Sequence, residues 1–149
     1  MDIGSGKAYP SNALSNFAPH PFVFDGVECN SMEGLLQSFK FSSVPMQQAV
    51  CKLVGKAAKF KGKKKRWQTD QTLYWNGVSY KRSSPEYQEL LDRAYDALFR
   101  SPSFRGALLA SGDATLTHEI GRSNENETVL TKREFISRLV KLRKKLRQQ

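Results

Sequence analysis

Residues 30–41 read Asn-Ser-Met-Glu-Gly-Leu-Leu-Gln-Ser-Phe-Lys-Phe, and their spacing predicts a short helix with two distinct faces. Asn30 or Ser31 is a typical N-cap residue, and Asn30 followed by Glu33 is close to a capping box. At about 100° per residue, the apolar side chains fall on one stripe, which contains Met32, Leu35, Leu36 and Phe39. The polar side chains fall on a second stripe, which contains Glu33, Gln37 and Lys40.

The polar stripe has two interpretations that need no function. It can be the solvated face of an amphipathic helix, or Glu33 can serve only to cap the N-terminal amides of the helix. Leu36 and Phe41 flank the stripe, which argues against a face open to bulk water. Both interpretations remain compatible with the sequence.

The remaining pattern is mainly helical. Asp25-Gly26 and Asn76-Gly77 are turn dipeptides between strand-forming residues, and they predict short β-hairpins. Helical spacing and start signals predict four further helices, over about residues 45–57, 85–99, 102–111 and 131–146. The apolar residues of 45–57 are expected to face the core. The fold class is therefore mainly α (α+β), a single compact helical domain spanning residues 1–149 with a small β-hairpin element.

Length and cysteine usage narrow the class of protein. A chain of 149 residues that is 39% hydrophobic has the size of one domain with a full core. Cys29 and Cys51 have neither metal-ligand nor CxxC spacing, so we expect reduced thiols in a cytoplasmic protein. No segment resembles a membrane span or a signal peptide. Acidic residues and histidines lack ligand spacing, so neither a metal nor a cofactor is expected.

Positive charge is concentrated in one segment. The formal net charge is +10, and seven of the eleven residues in 56–66 are lysine or arginine. Such a run is often a solvated segment, but Trp67 follows it directly and Trp75 comes eight residues later. Cations beside aromatic rings suit a phosphate-bearing ligand whose base stacks. We therefore expect an anionic partner, without choosing between a nucleotide and a nucleic acid.

Five short motifs, in order, resemble the signature of the NADAR family. They are Leu14-Ser15-Asn16-Phe17, Pro21-Phe22, Asp25-Gly26, Ser31-Met32-Glu33 and Gln37-Ser38-Phe39-Lys40-Phe41. The resemblance continues more loosely through Trp67, through residues 108–113 and through 139–143, so it covers nearly the whole chain. It implies a NADAR-like fold.

The resemblance also implies an activity. The family hydrolyses N-glycosidic bonds in ADP-ribose-like and riboflavin-precursor phosphates, and some members remove ADP-ribose from guanine. We therefore expect an ADP-ribose-containing substrate, with ADP-ribosylated DNA as a candidate partner, and a hydrolase that acts on N-glycosidic bonds. Glu33 and Lys40 are the expected catalytic residues. The expected substrate-binding residues are Asn16, Phe17, Gln37, Trp67, Trp75 and Glu119.

Two departures from the family pattern keep other functions open. Gly34 stands where the family usually has a histidine, and residues 119–126 lack the Asp-x-x-Trp-Gly stretch of bacterial members. Glu119, Asn124 and Asn126 are the candidates to replace its aspartate. One alternative is therefore a non-catalytic module that binds ADP-ribose or nucleic acid. A second is a basic nucleic-acid-binding protein without sugar chemistry.

Overall fold

Helices form most of the regular structure in a computed structural model that describes residues 1–149. The seven α-helices are α1 (Ser11–Leu14), α2 (Met32–Ser38), α3 (Val44–Cys51), α4 (Gly55–Lys63), α5 (Pro85–Leu98), α6 (Pro102–Ala110) and α7 (Lys132–Arg147). The four strands are β1 (Phe22–Phe24), β2 (Val27–Cys29), β3 (Thr72–Trp75) and β4 (Val78–Lys81). The predicted α+β class is confirmed. No helix has both the length and the apolar character needed to cross a bilayer.

The four strands form two separate antiparallel hairpins, as the turn dipeptides predict. β1 pairs with β2 and β3 pairs with β4. Asp25 and Gly26 have φ angles of 48° and 79°, and Asn76 and Gly77 have 50° and 85°. Two successive positive φ angles match the right-handed twist of a two-residue hairpin, which explains the choice of Asp-Gly and Asn-Gly. The hairpins thus follow from local sequence alone.

Helix α2 runs through the centre of the fold. Its apolar stripe is fully buried and belongs to a core of 28 hydrophobic side chains. Ser31 is the N-cap, because its hydroxyl accepts a hydrogen bond from the N–H of Gly34 at 3.0 Å. Asn30 instead donates its side-chain amide to the carbonyl of Lys52. The capping box suggested by Asn30 and Glu33 is therefore absent, and the carboxyl of Glu33 is available for another role.

The single helix predicted over residues 45–57 is wrong. The chain forms α3 and α4 with a break at residues 52–54, and Gly55 begins α4 with a φ of +54°. Only Val50 is buried among the six residues that helical spacing placed toward the core, which are Met46, Ala49, Val50, Leu53, Val54 and Ala57. The basic run is therefore largely an ordered helix. Because α4 packs against α2, it brings part of that run beside the polar stripe.

Candidate active site

A cavity of about 600 Å³ opens beside the polar stripe of α2. Its walls come from α2, from the loop that contains Asn16 and Phe17, from α4 with the 3-10 turn Trp67–Thr69, and from residues 118–135. This volume lies within the usual range of small-molecule sites. Six of the eight predicted site residues line it, namely Asn16, Phe17, Glu33, Gln37, Lys40 and Trp67.

The three polar side chains that helical spacing places on one face of α2 all reach the cavity. Glu33, Gln37 and Lys40 all line the cavity, with Leu36 between them. Neither Glu33 nor Lys40 belongs to any of the ion pairs of the chain. The carboxyl and the amine are therefore not consumed by a structural salt bridge.

Burial shifts both of these groups toward their neutral forms. It raises the pKa of the Glu33 carboxyl, and this rise is opposed by the Gln37 amide and by the charges of Lys40 and Lys59. Burial likewise lowers the pKa of the Lys40 amine, with Glu33 opposing the change and Lys59 adding to it. Acid–base and nucleophilic sites typically contain two such groups, one acid whose pKa is raised and one amine whose pKa is lowered.

The Asn16–Phe17 loop is joined to the α2 wall through its backbone. The N–H of Glu33 donates to the carbonyl of Asn16 at 2.9 Å. The side-chain oxygen of Asn16 accepts a hydrogen bond from the hydroxyl of Tyr95 at 2.7 Å. Because that contact uses the oxygen, the Asn16 amide N–H groups remain available to a ligand. Phe17 provides an aromatic surface next to them.

Gln37 is held against α4. Its side chain is 7% exposed and packs on Gly62, and its Oε1 is buried without a hydrogen-bond partner. A buried acceptor that lacks a partner carries a free-energy cost. This oxygen faces α4, whereas the amide group on the other side of the same side chain lies beside the Glu33 carboxyl.

A second wall is strongly basic. Lys59, Lys63 and Lys65 come from the basic run and line the cavity together with Trp67, which is 4% exposed. Trp67 therefore presents little accessible surface to the cavity and contributes mainly to the shape of the site. The three ammonium groups form a region suited to phosphate oxygens.

Residues 118–135 close the far side of the cavity. His118 donates from Nδ1 to the carbonyl of Ile3 at 2.9 Å, and Nε2 takes no part in that contact. Its ring packs edge-on against Phe135, with centroids 5.1 Å apart. Arg122 and Glu127 also line the cavity. Glu127 and Glu33 are the two carboxylates of the lining, and Asn124 and Asn126 do not line the cavity.

A buried arginine fixes this far wall. Arg82 has no exposed surface, donates to the carbonyl of Thr128 and forms a bidentate pair with Glu134 at 2.7 and 3.1 Å. Glu134 also completes the capping box of α7 with Thr131. Burial raises the pKa of Glu134, but hydrogen bonds from Arg82, from the Thr131 N–H and from Gln88 outweigh it and lower the pKa overall. The segment that lines the far side of the cavity is thereby anchored.

Trp75 is not at the site, and its expected contact with substrate is a wrong prediction. The ring is 2% exposed and stacks on Phe24 with centroids 5.3 Å apart. Its Nε1 donates to the carboxylate of Asp25 at 2.9 Å. Because β3 alternates its side chains, Trp75 points into the core and joins the two hairpins. The second hairpin is a packing element.

Glu119 also lies outside the cavity lining. Its neighbours His118 and Ile120 face the cavity, whereas Glu119 borders a separate, shallower groove. Its backbone N–H donates to the side chain of Asp2 at 2.9 Å, which ties this part of the loop to the N-terminus. The exposed carboxylate therefore does not join Glu33.

Gly34 occupies the position at which the NADAR family usually has a histidine, and this position does not face the cavity. A methyl group built on Gly34 would lie 2.7 Å from the carbonyl oxygen of Leu53 and 2.9 Å from that of Val50. Position 34 faces the end of α3 and is absent from the cavity lining. In this chain the close approach of two backbones requires glycine.

The sequence signal was weak for several residues that line the cavity. Lys59, Lys63 and Lys65 were visible only as members of a charge run, because their direction depends on the break before α4. His118, Arg122 and Glu127 lie in an irregular segment without periodicity, whose path is set by Arg82. No group of three or more histidine, cysteine, aspartate or glutamate side chains is arranged to hold a metal ion.

Comparisons with known proteins agree with this architecture. The chain is similar in structure to the Escherichia coli protein YbiA solved by NMR, with a TM-score of 0.61 and 19% identity over 97% of this chain and 82% of that one. The resemblance to the NADAR family is thus confirmed at the level of the fold. The chain is also 41% identical to the uncharacterized 17.1 kDa protein in the Gp30-rIII intergenic region of Enterobacteria phage T4, over 98% of both chains. Residues 8–144 match the family described as bacteriophage protein GP30.3, and the chain belongs to that family.

Proposed function

We propose that this protein is an N-glycosidase that hydrolyses a ribosyl C–N bond. The observation that carries the proposal is the α2 wall, on which a half-buried carboxyl, a buried amide and a half-buried amine line one cavity opposite three lysines. The substrate class that fits best is ADP-ribose attached to guanine, in a nucleic acid or a nucleoside. A related nucleotide-like phosphate metabolite meets the same requirements.

Glu33 suits the charge that develops in this reaction. When the C1′–N bond breaks, its electron pair goes to the base nitrogen, which takes a proton, and positive charge builds on C1′ and the ring oxygen. A carboxylate beside C1′ stabilises that charge and accepts a proton from the attacking group. The net reaction places the OH of water on C1′ and its remaining hydrogen on the base. The raised pKa of Glu33 also makes its acid form available for proton transfer.

Lys40 has two roles compatible with its place: a point charge for phosphate, or a nucleophile. We infer the second, because Lys59, Lys63 and Lys65 already supply positive charge on another wall. The lowered pKa of Lys40 increases the fraction of its side chain that is present as the neutral, nucleophilic amine. In this route the C1′–O4′ bond breaks first: O4′ takes a proton, and the lone pair of the base nitrogen forms a C1′=N iminium. The neutral Nζ then adds to C1′ and loses a proton to the base nitrogen, and the base leaves with the electron pair of the C1′–N bond to give the C1′=Nζ imine. Water would then hydrolyse the C1′=Nζ imine and free both the lysine and ADP-ribose.

The other walls suit the rest of such a substrate. The three lysines can bind the diphosphate, and the side chain of Gln37 lines the cavity beside Glu33, where it can help to orient a ribose. The amide N–H groups of Asn16 and the ring of Phe17 remain for a base or sugar. Lys63 lies over the ring of Phe60 and Lys65 over the ring of Phe41, so both ammonium groups also make a contact within the protein.

A product survey tests the proposal. The full chain is incubated with ADP-ribosylated guanine DNA, ADP-ribosylated guanosine and free ADP-ribose, and products are identified by mass spectrometry. Release of ADP-ribose with unmodified guanine from either of the first two substrates supports the proposal. The proposal is contradicted if the protein cleaves neither these substrates nor a related nucleotide phosphate.

A second candidate is a binding module without catalysis. It is favoured by one observation, the absence of the family's Asp-x-x-Trp-Gly stretch from residues 119–126. Stoichiometric binding of ADP-ribose by calorimetry, without product from any substrate in the survey, would support the module and exclude the hydrolase.

A further inference from the structure

The C-terminal half of α7 carries a cluster of cations that the cavity does not use. We define the α7 basic surface as Arg105, Lys141, Lys144 and Lys145. Lys145 lies over the ring of Phe99 at 5.2 Å and Arg105 lies over the same ring at 6.0 Å. This shared ring brings α6 and α7 charges together. Lys145 lies about 15 Å along the helix from Phe135, which lines the cavity.

The cluster has no acidic compensation. None of its four members belongs to an ion pair of the chain, and the one acidic partner near the end of α7, Asp113, is bound by Arg147. Lys141 and Lys145 are four residues apart on one helix face, an arrangement in which like charges repel. The helix dipole favours cations in the last turn. It does not explain Lys141, which lies further from the end. Arg105 belongs to α6, and its guanidinium also donates to the carbonyl of Phe99 at 3.3 Å.

We propose that the α7 basic surface binds the phosphate backbone of a nucleic acid, outside the cavity. A closely spaced, uncompensated set of lysines and arginine is complementary to a chain of phosphates. An anionic membrane fits less well, because the apolar face of α7 is already buried through Phe135, Leu139 and Leu142 and cannot enter lipid. The surface is separate from Glu33 and Lys40, so it does not depend on the proposed glycosidase activity.

The test measures binding of an unmodified, fluorescently labelled 20-base-pair DNA duplex by anisotropy over a range of NaCl concentrations. The variant is the triple change Lys141→Gln, Lys144→Gln, Lys145→Gln. The control is Lys7→Gln, Lys52→Gln, Lys81→Gln, which removes the same charge from exposed positions elsewhere. Thermal melting of both variants checks that they are folded.

The proposal predicts that the α7 variant reduces the slope of log K against log salt by about two to three, because each phosphate contact contributes about 0.9. Its affinity at 0.1 M salt should fall about tenfold or more. The control variant should retain the slope, and Lys→Arg changes at the three α7 positions should retain binding. An equal loss of DNA affinity in both Gln variants would show that only the net charge of the protein matters, and it would overturn the proposal. Binding of anionic phospholipid vesicles through α7, without binding of DNA, would also overturn it.

Discussion

The side chain of Gln37 lies so close to Gly62 that a methyl group on the glycine would fall 1.8 Å from Gln37 Oε1. Gly62 is buried within α4, and Gln37 belongs to α2. This contact sets the distance between the wall that carries Glu33 and the wall that carries the lysines. It therefore links a glycine in a basic run to the geometry of the cavity.

Gly62→Ala should therefore weaken substrate binding. The added methyl group must displace Gln37, so we expect KM to rise more than kcat falls, measured by steady-state kinetics. Gly106→Ala is the matched control, because its methyl group would meet only the Tyr9 hydroxyl, at 4.0 Å. That helical substitution should leave KM unchanged and stabilise the fold by about 0.5–1 kcal/mol. Equal KM values for wild type and Gly62→Ala would contradict this role for the contact.

Glu33→Gln should stabilise the protein at neutral pH. Burial raises the pKa of Glu33 in the folded state above its unfolded value, so the ionised carboxyl costs stability once the pH exceeds the unfolded pKa. The penalty grows as the pH rises to the folded pKa and is absent below the unfolded one. Urea unfolding of both proteins at pH 7 and pH 4 measures the difference. A variant that is less stable than wild type at pH 7 would indicate that Glu33 acts as a helix cap.

Lys40 should form a covalent intermediate. Sodium borohydride added during turnover should leave a reduced adduct on Lys40, detected by peptide mass spectrometry. Because the reaction needs the neutral amine, activity should rise as the pH increases through the lowered pKa of Lys40.

Lys40→Arg separates the two roles of this residue. The arginine keeps a positive charge but cannot form the imine, so it should be inactive. An active Lys40→Arg enzyme without any borohydride adduct would assign Lys40 to phosphate binding.

Arg82→Met should destabilise the fold and loosen the far wall of the cavity. It leaves the half-buried Glu134 without its bidentate partner, a loss of about 3–5 kcal/mol for a buried pair. The lowered pKa of Glu134 means that its contribution is present above the unfolded pKa and is lost as the pH falls through the folded one. Urea unfolding at pH 7 and pH 3 should therefore show a smaller difference between variant and wild type at pH 3. If the difference in free energy of unfolding between variant and wild type is the same at both pH values, the Arg82–Glu134 ion pair is not its source.

The local parts of the fold were predictable from sequence. The hairpin turns require positive φ, which Asp-Gly and Asn-Gly provide, and the period of residues 32–40 places Glu33, Gln37 and Lys40 on one face. These features depend on neighbours within one or two turns. The α2 wall of the site was therefore visible before any tertiary contact was known.

The other walls depend on tertiary contacts that carry no local signal. The break before α4 directs the lysines toward α2, and Arg82 directs the loop that contains Glu127. Trp75 resembled a ligand contact because it follows a basic run, yet the alternation of a short strand buries it. Aromatic residues near charge are therefore ambiguous until their strand register is known.

The single-turnover rate of ADP-ribose release from ADP-ribosylated guanine, compared among wild type, Glu33→Gln and Glu28→Gln, tests the central claim most directly. Glu28 is an exposed glutamate on β2 and makes the same change of charge outside the cavity. We predict that Glu33→Gln lowers the rate by about 10²–10⁴-fold while remaining folded, and that Glu28→Gln leaves it unchanged. A folded Glu33→Gln protein with the wild-type rate would contradict the claim that this carboxyl acts on the ribose.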